Sequence, residues 1–180
     1  MGKSIKLIMI LAIISLLSGA VLALVYSITS PAMEAVALEN QQKSIFEVLS
    51  GIDSYREYKN PGNMLIYEGL DKEGNVIGLA YVAEGAGFQG RIKLMIGVDI
   101  KSKRITEYKV LEHQETPGLG ARINEAGFKQ QFSQKTWTDP FKVKDDIEAI
   151  TGATISSRAV TELIKKSLDE VLQIVGGDKE

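Results

Sequence analysis

The sequence predicts an α+β protein: one N-terminal transmembrane helix, then an antiparallel sheet with flanking helices. Three observations carry this expectation. Leu7 to Tyr26 is a run of twenty residues without a charge. Met64 to Leu111 breaks into four short strand-like segments separated by turn residues. Val160 to Val175 repeats apolar residues at helical spacing.

The uncharged run comes first. At 1.5 Å per residue it spans roughly the 30 Å of a bilayer's hydrocarbon core. It is longer than the apolar part of a secretory signal peptide, and Leu22-Ala23 before Val25-Tyr26 is a poor cleavage site. The length favours an uncleaved anchor. Lys3 and Lys6 precede it, which places the N-terminus in the cytoplasm and the remainder on the outer side of the cell (inner) membrane. The expected organisation is a cytoplasmic end at 1–6, an anchor at 7–26, a membrane-proximal helix and linker at 27–62, and a folded domain at 63–180.

Ser30-Pro31 reads as an N-cap followed by the first position of a membrane-proximal helix, with continuation from the anchor as the alternative. Met33, Val36, Ala37, Asn40, Ile45, Val48 and Leu49 then trace its mostly apolar stripe toward Gly51. Ser54 to Gly62 is polar, and Asn60-Pro61-Gly62 reads as a turn.

From Met64 the period changes. Met64–Leu70 and Val76–Ala83 flank Asp71-Lys72-Glu73-Gly74-Asn75, a hairpin connection. Ile92–Ile100 and Ile105–Leu111 flank Lys101-Ser102-Lys103, a second one. These are four adjacent antiparallel strands. Gly85 to Gly90 between the pairs matches a dinucleotide fingerprint by letter. The fingerprint needs a helix next, and Arg91 to Ile96 reads as a strand, so the segment is a glycine turn.

His113 to Gly120 is a loop with Pro117-Gly118 as a tight turn. Phe128 to Phe132 is a short helical turn. The final helix buries Val160, Leu163, Ile164, Leu168, Val171, Leu172 and Val175, with Gly176-Gly177 as its stop. Its N-terminus falls in Thr151-Gly152-Ala153-Thr154-Ile155-Ser156-Ser157. A helix start of this kind presents free N–H groups and favours an anion. Capping by Thr or Ser is the plain alternative.

Composition excludes several functions. With no Cys in 180 residues, iron–sulfur clusters, thiolate zinc sites and cysteine nucleophiles are absent from this chain. A single His113 leaves little for a histidine metal site. Beyond Lys3 and Lys6 the chain holds 19 basic against 23 acidic residues and no basic stripe, which argues against nucleic acid. No Ser/His/Asp constellation stands out, so no catalytic residue is expected. Lys142 and Lys144 precede the Thr-rich segment and read as solvated charges, with offset of a bound anion as the alternative.

Thr151-Gly152-Ala153-Thr154 resembles the [Ser/Thr]-Gly-Ala-Thr flavinylation motif of the FMN-binding domain family. Glu115-Thr116-Pro117-Gly118-Leu119-Gly120 and the glycine turn with Phe88 resemble that family's other motifs. The family often has Asp three residues before the first hydroxyl residue, and Glu148 stands here. The resemblance covers about Met64 to Val175. It implies an antiparallel-sheet FMN-binding domain with FMN joined covalently to Thr154 by a phosphoester, placed there by a dedicated flavin transferase. It implies ring and ribityl contacts from Glu115, Thr116 and Leu119, and Phe88 as a ring neighbour. Thr151, Gly152 and Ala153 belong to the same site, which needs no metal.

Together with the anchor, the pattern is similar to the G subunits of Rnf complexes, which move electrons between ferredoxin and NAD and couple this to ion transport. A near relative is the C subunit of sodium-pumping NADH:quinone reductases. The implied function is a membrane-anchored electron carrier among other membrane and peripheral redox proteins of one complex. The bland alternative is an anchored extracytoplasmic binding or structural module without a cofactor. A third reading is a flavin sensor or reductase accessory that serves another partner.

Overall fold

The computed structural model describes residues 2–60, 64–133 and 135–177. The chain divides into two compact units, Met1–Asn40 and Gln41–Glu180. The expected turn at Pro61-Gly62 lies outside the described residues.

Helix α1 covers Gly2–Val48. It is long and apolar enough to cross a membrane by length and composition, and its apolar side chains from Ile5 to Ile28 are exposed. The expected helix start is corrected: Ser30 is no N-cap and Pro31 lies inside α1, so the membrane-proximal helix continues from the apolar stretch. The Ser30 hydroxyl donates to Glu34 within the helix (3.4 Å). An interior proline removes one i→i−4 hydrogen bond and crowds the carbonyl four residues back, a cost of about 3 kcal/mol that the helical residues on both sides outweigh here. In the turn before it, the Ser27 and Thr29 hydroxyls donate to the Leu24 and Val25 carbonyls (2.8 and 2.9 Å).

The second unit contains a five-stranded antiparallel meander in the order β1-β2-β3-β4-β5. The strands are β1 (Ser54–Glu57), β2 (Ile66–Leu70), β3 (Val76–Ala86), β4 (Arg91–Asp99) and β5 (Arg104–His113). β2 to β5 sit where apolar β-formers alternate. The β2–β3 and β4–β5 connections are set by aspartates: Asp71 Oδ1 accepts from the Glu73 and Asn75 amides, and Asp99 Oδ1 from those of Lys101 and Ser102. β1 is a fifth strand, lying where the composition reads as polar linker. It is four residues long, pairs only with β2, and only Tyr55 is half-buried, so it shows no apolar alternation. Tyr55 packs edge-on against Phe46 and Tyr67, 5.6 and 5.7 Å between centroids.

After β5 come a 3-10 turn at Gly120–Asn124, the short α2 (Ala126–Lys129), and α3 (Thr154–Gly177). One sheet face, including Tyr81, Leu94, Ile96 and Tyr108, packs with Val160, Ile164, Leu168 and Val171 of α3. The other face packs Ala80 and Met95 against Ile45 and Val48 at the end of α1 and Leu49 just after it. The Thr106 hydroxyl donates to the Val48 carbonyl there. Tyr108 donates to the Ile123 carbonyl (2.6 Å), tying the 3-10 turn to β5. Burial pushes its phenol pKa up, so it stays a donor.

Candidate functional site

Three segments meet at the start of α3: the β3–β4 turn (87–90), the loop after β5 (114–119), and the approach to the helix (148–153). Each has its own local reason. The β3–β4 turn closes with Gly87 N–H on the Gly90 carbonyl (2.7 Å). The loop after β5 turns on Gly118 at φ +74°, with the Leu119 and Ala121 amides on the Thr116 carbonyl. The approach to α3 turns at Gly152, φ +80°, a conformation that costs most residues energy. A Cβ there would also sit 3.1 Å from Leu119.

Ser157 pins that approach. Fully buried, it accepts from the Ile150 amide (3.0 Å) and donates to the Ala153 carbonyl (2.9 Å). The first helical amide to find its i−4 carbonyl is that of Ser157. The amides of Thr154, Ile155 and Ser156 have no acceptor among the described residues. They are the open donors of the helix N-terminus.

The segments enclose a cleft of about 300 Å³. Of the residues expected from sequence, Phe88, Thr116, Leu119, Gly152, Ala153 and Thr154 line it. Gly120, Ile155 and Ser156 complete the lining and were not foreseen. The exposed side chains of Phe88, Leu119 and Ile155 form an apolar collar. No lysine or arginine lines the cleft among the described residues.

Two expected residues are placed differently. Thr151 is exposed and not part of the lining. Glu115 is 4% exposed and turns away from the cleft. Its Oε1 accepts from the Phe88 and Gln89 amides (2.7 and 3.3 Å), and its Oε2 accepts from the Ser156 hydroxyl (2.5 Å).

The four hydroxyls of Thr151–Ser157 thus have four situations, and the Thr116 side chain lines the cleft from the opposite loop. Ser156 is committed to Glu115, and Ser157 to the backbone. Thr151 lies outside. Thr154 lines the cleft, half-buried, and its hydroxyl makes no hydrogen bond among the described residues. The remaining polar groups are peripheral. His113 Nδ1 accepts from the Glu115 amide (3.2 Å) and does not line this cleft. Lys142 and Lys144 are exposed and also outside it. Glu148 holds Gln131 by two backbone hydrogen bonds, 2.7 and 3.2 Å. A larger groove of about 810 Å³ lies between β3 and α3; of the motif segments only Gly85 and Ala86, before the glycine turn proper, reach it.

Residues 87–169 match the FMN-binding domain family, a range that holds all three segments. Over 175 residues the chain is 34% identical to the G subunit of the ion-translocating oxidoreductase complex of Methanosarcina acetivorans, covering 92% of this chain and 93% of that one. The chain belongs to this family of G subunits. A second relative in the family is the G subunit of the proton-translocating ferredoxin:NAD(+) oxidoreductase complex of Clostridium ljungdahlii, 31% identical with 93% and 91% covered. A third is the corresponding G subunit of Vibrio cholerae, 30% identical with 92% and 88% covered. Among solved structures, NqrC of Shewanella oneidensis shares the fold, with TM-score 0.51 and 18% identity over 68% of this chain and 66% of that chain.

Proposed function

We propose that this protein is the membrane-anchored electron carrier of an ion-translocating ferredoxin:NAD oxidoreductase of Rnf type, with FMN joined by a phosphoester to Thr154. The observation that carries the reading is the state of the Thr154 hydroxyl. Of the four hydroxyls in Thr151–Ser157 it is the one that both lines the cleft and is free of a protein partner among the described residues, and it stands at the first residue of α3. A phosphoryl group attached there lies beside the open Thr154, Ile155 and Ser156 amides, at the positive end of α3. No lysine lines the cleft among the described residues, so backbone donors would carry the charge compensation.

The cleft volume is at the small end for ligand sites. A three-ring flavin therefore extends into the mouth, where Phe88, Leu119 and Ile155 offer apolar surface. When bound, the flavin takes up and gives back electrons. The protein's own residues fix its phosphate end, shield one side of the ring and keep the site open to a partner. Attachment through the phosphate leaves the ring free and calls for a dedicated flavin transferase. The names of the relatives support partner proteins in the same complex. They also favour the G subunit of an Rnf-type complex over the C subunit of a quinone reductase, since the relatives so named align over nearly their whole length. The apolar stretch of α1 supplies the anchor, and Lys3 and Lys6 put the N-terminus in the cytoplasm and the flavin on the outer side of the inner membrane.

The test is intact mass and in-gel fluorescence of the denatured protein, purified from membranes of cells that contain the transferase. One FMN on the Thr154 peptide is expected, and Thr154→Ala is expected to abolish it. Covalent flavin that survives Thr154→Ala overturns the assignment.

A further inference from the structure

We propose that Glu115 is the positioning residue of the cleft, a buried strut that sets the distance between the turn carrying Phe88 and the helix start carrying Thr154. The inference rests on the FMN reading for its purpose and on the structure for its geometry. Three segments distant in sequence converge on one carboxylate. Phe88 is 27 residues before Glu115 and Ser156 is 41 after it. Oε1 takes both amides of the turn, and Oε2 takes the α3 hydroxyl. Among the described residues these are the only hydrogen bonds joining the β3–β4 turn, the loop after β5 and the first turn of α3 to one another.

The surroundings are shaped around this carboxylate. A Cβ at Gly120 would lie 2.6 Å from Oε2, and one at Gly87 would press into Oε1. A side chain at either place would have to displace the carboxylate. No cationic side chain pairs with Glu115 among the described residues. A buried carboxylate without a cation is costly unless hydrogen bonds satisfy it. Here they come from the two walls of the cleft, since Phe88 and Ser156 both line it. Glu115 itself does not, so it acts on a bound group only through those walls.

The variants separate strut from charge. Glu115→Ala removes all three bonds. Glu115→Gln keeps an acceptor for the two amides, and its side-chain N–H can donate to the Ser156 oxygen, so the strut survives without the charge. Ser156→Ala cuts only the helix arm. The experiment uses the full chain in detergent. Residue-resolved amide exchange is read at Phe88 and Gln89 on flavin-free protein. Fluorescence anisotropy and visible circular dichroism of the flavin are read on loaded protein.

Glu115→Ala is expected to speed exchange of the two amides by about tenfold or more, the scale of losing a hydrogen bond to a charged group. It is also expected to lower the anisotropy of the flavin. Glu115→Gln is expected to restore both to near wild type. Ser156→Ala is expected to leave the two amides protected while loosening the flavin. Wild-type exchange in Glu115→Ala, or a Glu115→Gln protein as loose as the alanine variant, overturns the proposal. If Glu115→Ala fails to fold, Glu115→Gln and Ser156→Ala decide the matter. Absence of flavin from the wild type would overturn the FMN reading alone, because the exchange data need no flavin.

Discussion

Thr154 and Ser157 carry the same hydroxyl group three residues apart, and burial assigns them different work. Ser157 satisfies the Ile150 amide in a site without water access. Ser157→Ala leaves that amide without its acceptor and is expected to cost about 1–3 kcal/mol, measured as a shift in the chemical denaturation midpoint. Thr154→Ala removes a hydroxyl that no described residue uses, so its stability is expected to stay within about 0.5 kcal/mol of wild type. The pair tests at one place whether the helix start is built from Ser157 and kept open at Thr154. Glu115 shows the limit of sequence reading at this scale. It stands next to Thr116, yet Thr116 faces the cleft and Glu115 faces inward. Neighbours on a loop have no period that tells their directions apart.

At the scale of elements, the strongest signals are the periodic ones. α3 buries Val160, Ile164, Leu168 and Val171 completely, four members of the predicted stripe. Ile164→Ala should lower stability by about 2–5 kcal/mol in denaturant unfolding, since the close-packed sheet above it cannot collapse into the space. The turns depend instead on charge. For Asp146, burial alone would raise the pKa, but the Lys142 and Phe141 amides and the Lys135 ammonium outweigh it and hold the value low. Asp99 has the same balance, burial against the Ser102 and Lys101 donors. Asp71 is lowered by Asn75 and Asp139 by Thr136. A folded pKa below the unfolded one stabilises above the unfolded value, about 3.9, and that stabilisation is lost as pH falls through the folded value. Denaturation midpoints are therefore expected to drop steeply as pH falls below about 4. Asp146→Asn should be less stable at neutral pH and show a shallower acid loss. An equal acid slope in the variant would remove Asp146 from this account.

At the scale of the whole molecule, the anchor is a matter of length and composition. Leu16→Arg puts a charge at the centre of the apolar stretch, at a cost of about 2.5–3.5 kcal/mol on insertion scales. The full chain is expected to resist alkaline extraction from membranes, and the Leu16→Arg form to extract measurably. Equal retention of both would mean that something other than this stretch holds the protein.

The sequence by itself determined what local periodicity and composition can determine: the apolar run, the strands β2 to β5 with the places of their turns, the buried face of α3, and the absence of cysteine chemistry. It also contained the motif residues whose resemblance pointed to flavin. Tertiary structure alone decided the rest. The polar Ser54–Glu57 became β1 because β2 offered it an edge, and a one-sided strand needs no apolar pattern. α1 ran through Pro31, although Ser30-Pro31 has the form of a helix start. Which of four hydroxyls stays free was set by Glu115 and the Ile150 amide, groups that meet Ser156 and Ser157 only after folding. Burial and hydrogen-bond satisfaction are properties of contacts between distant residues, and no window of sequence contains both partners.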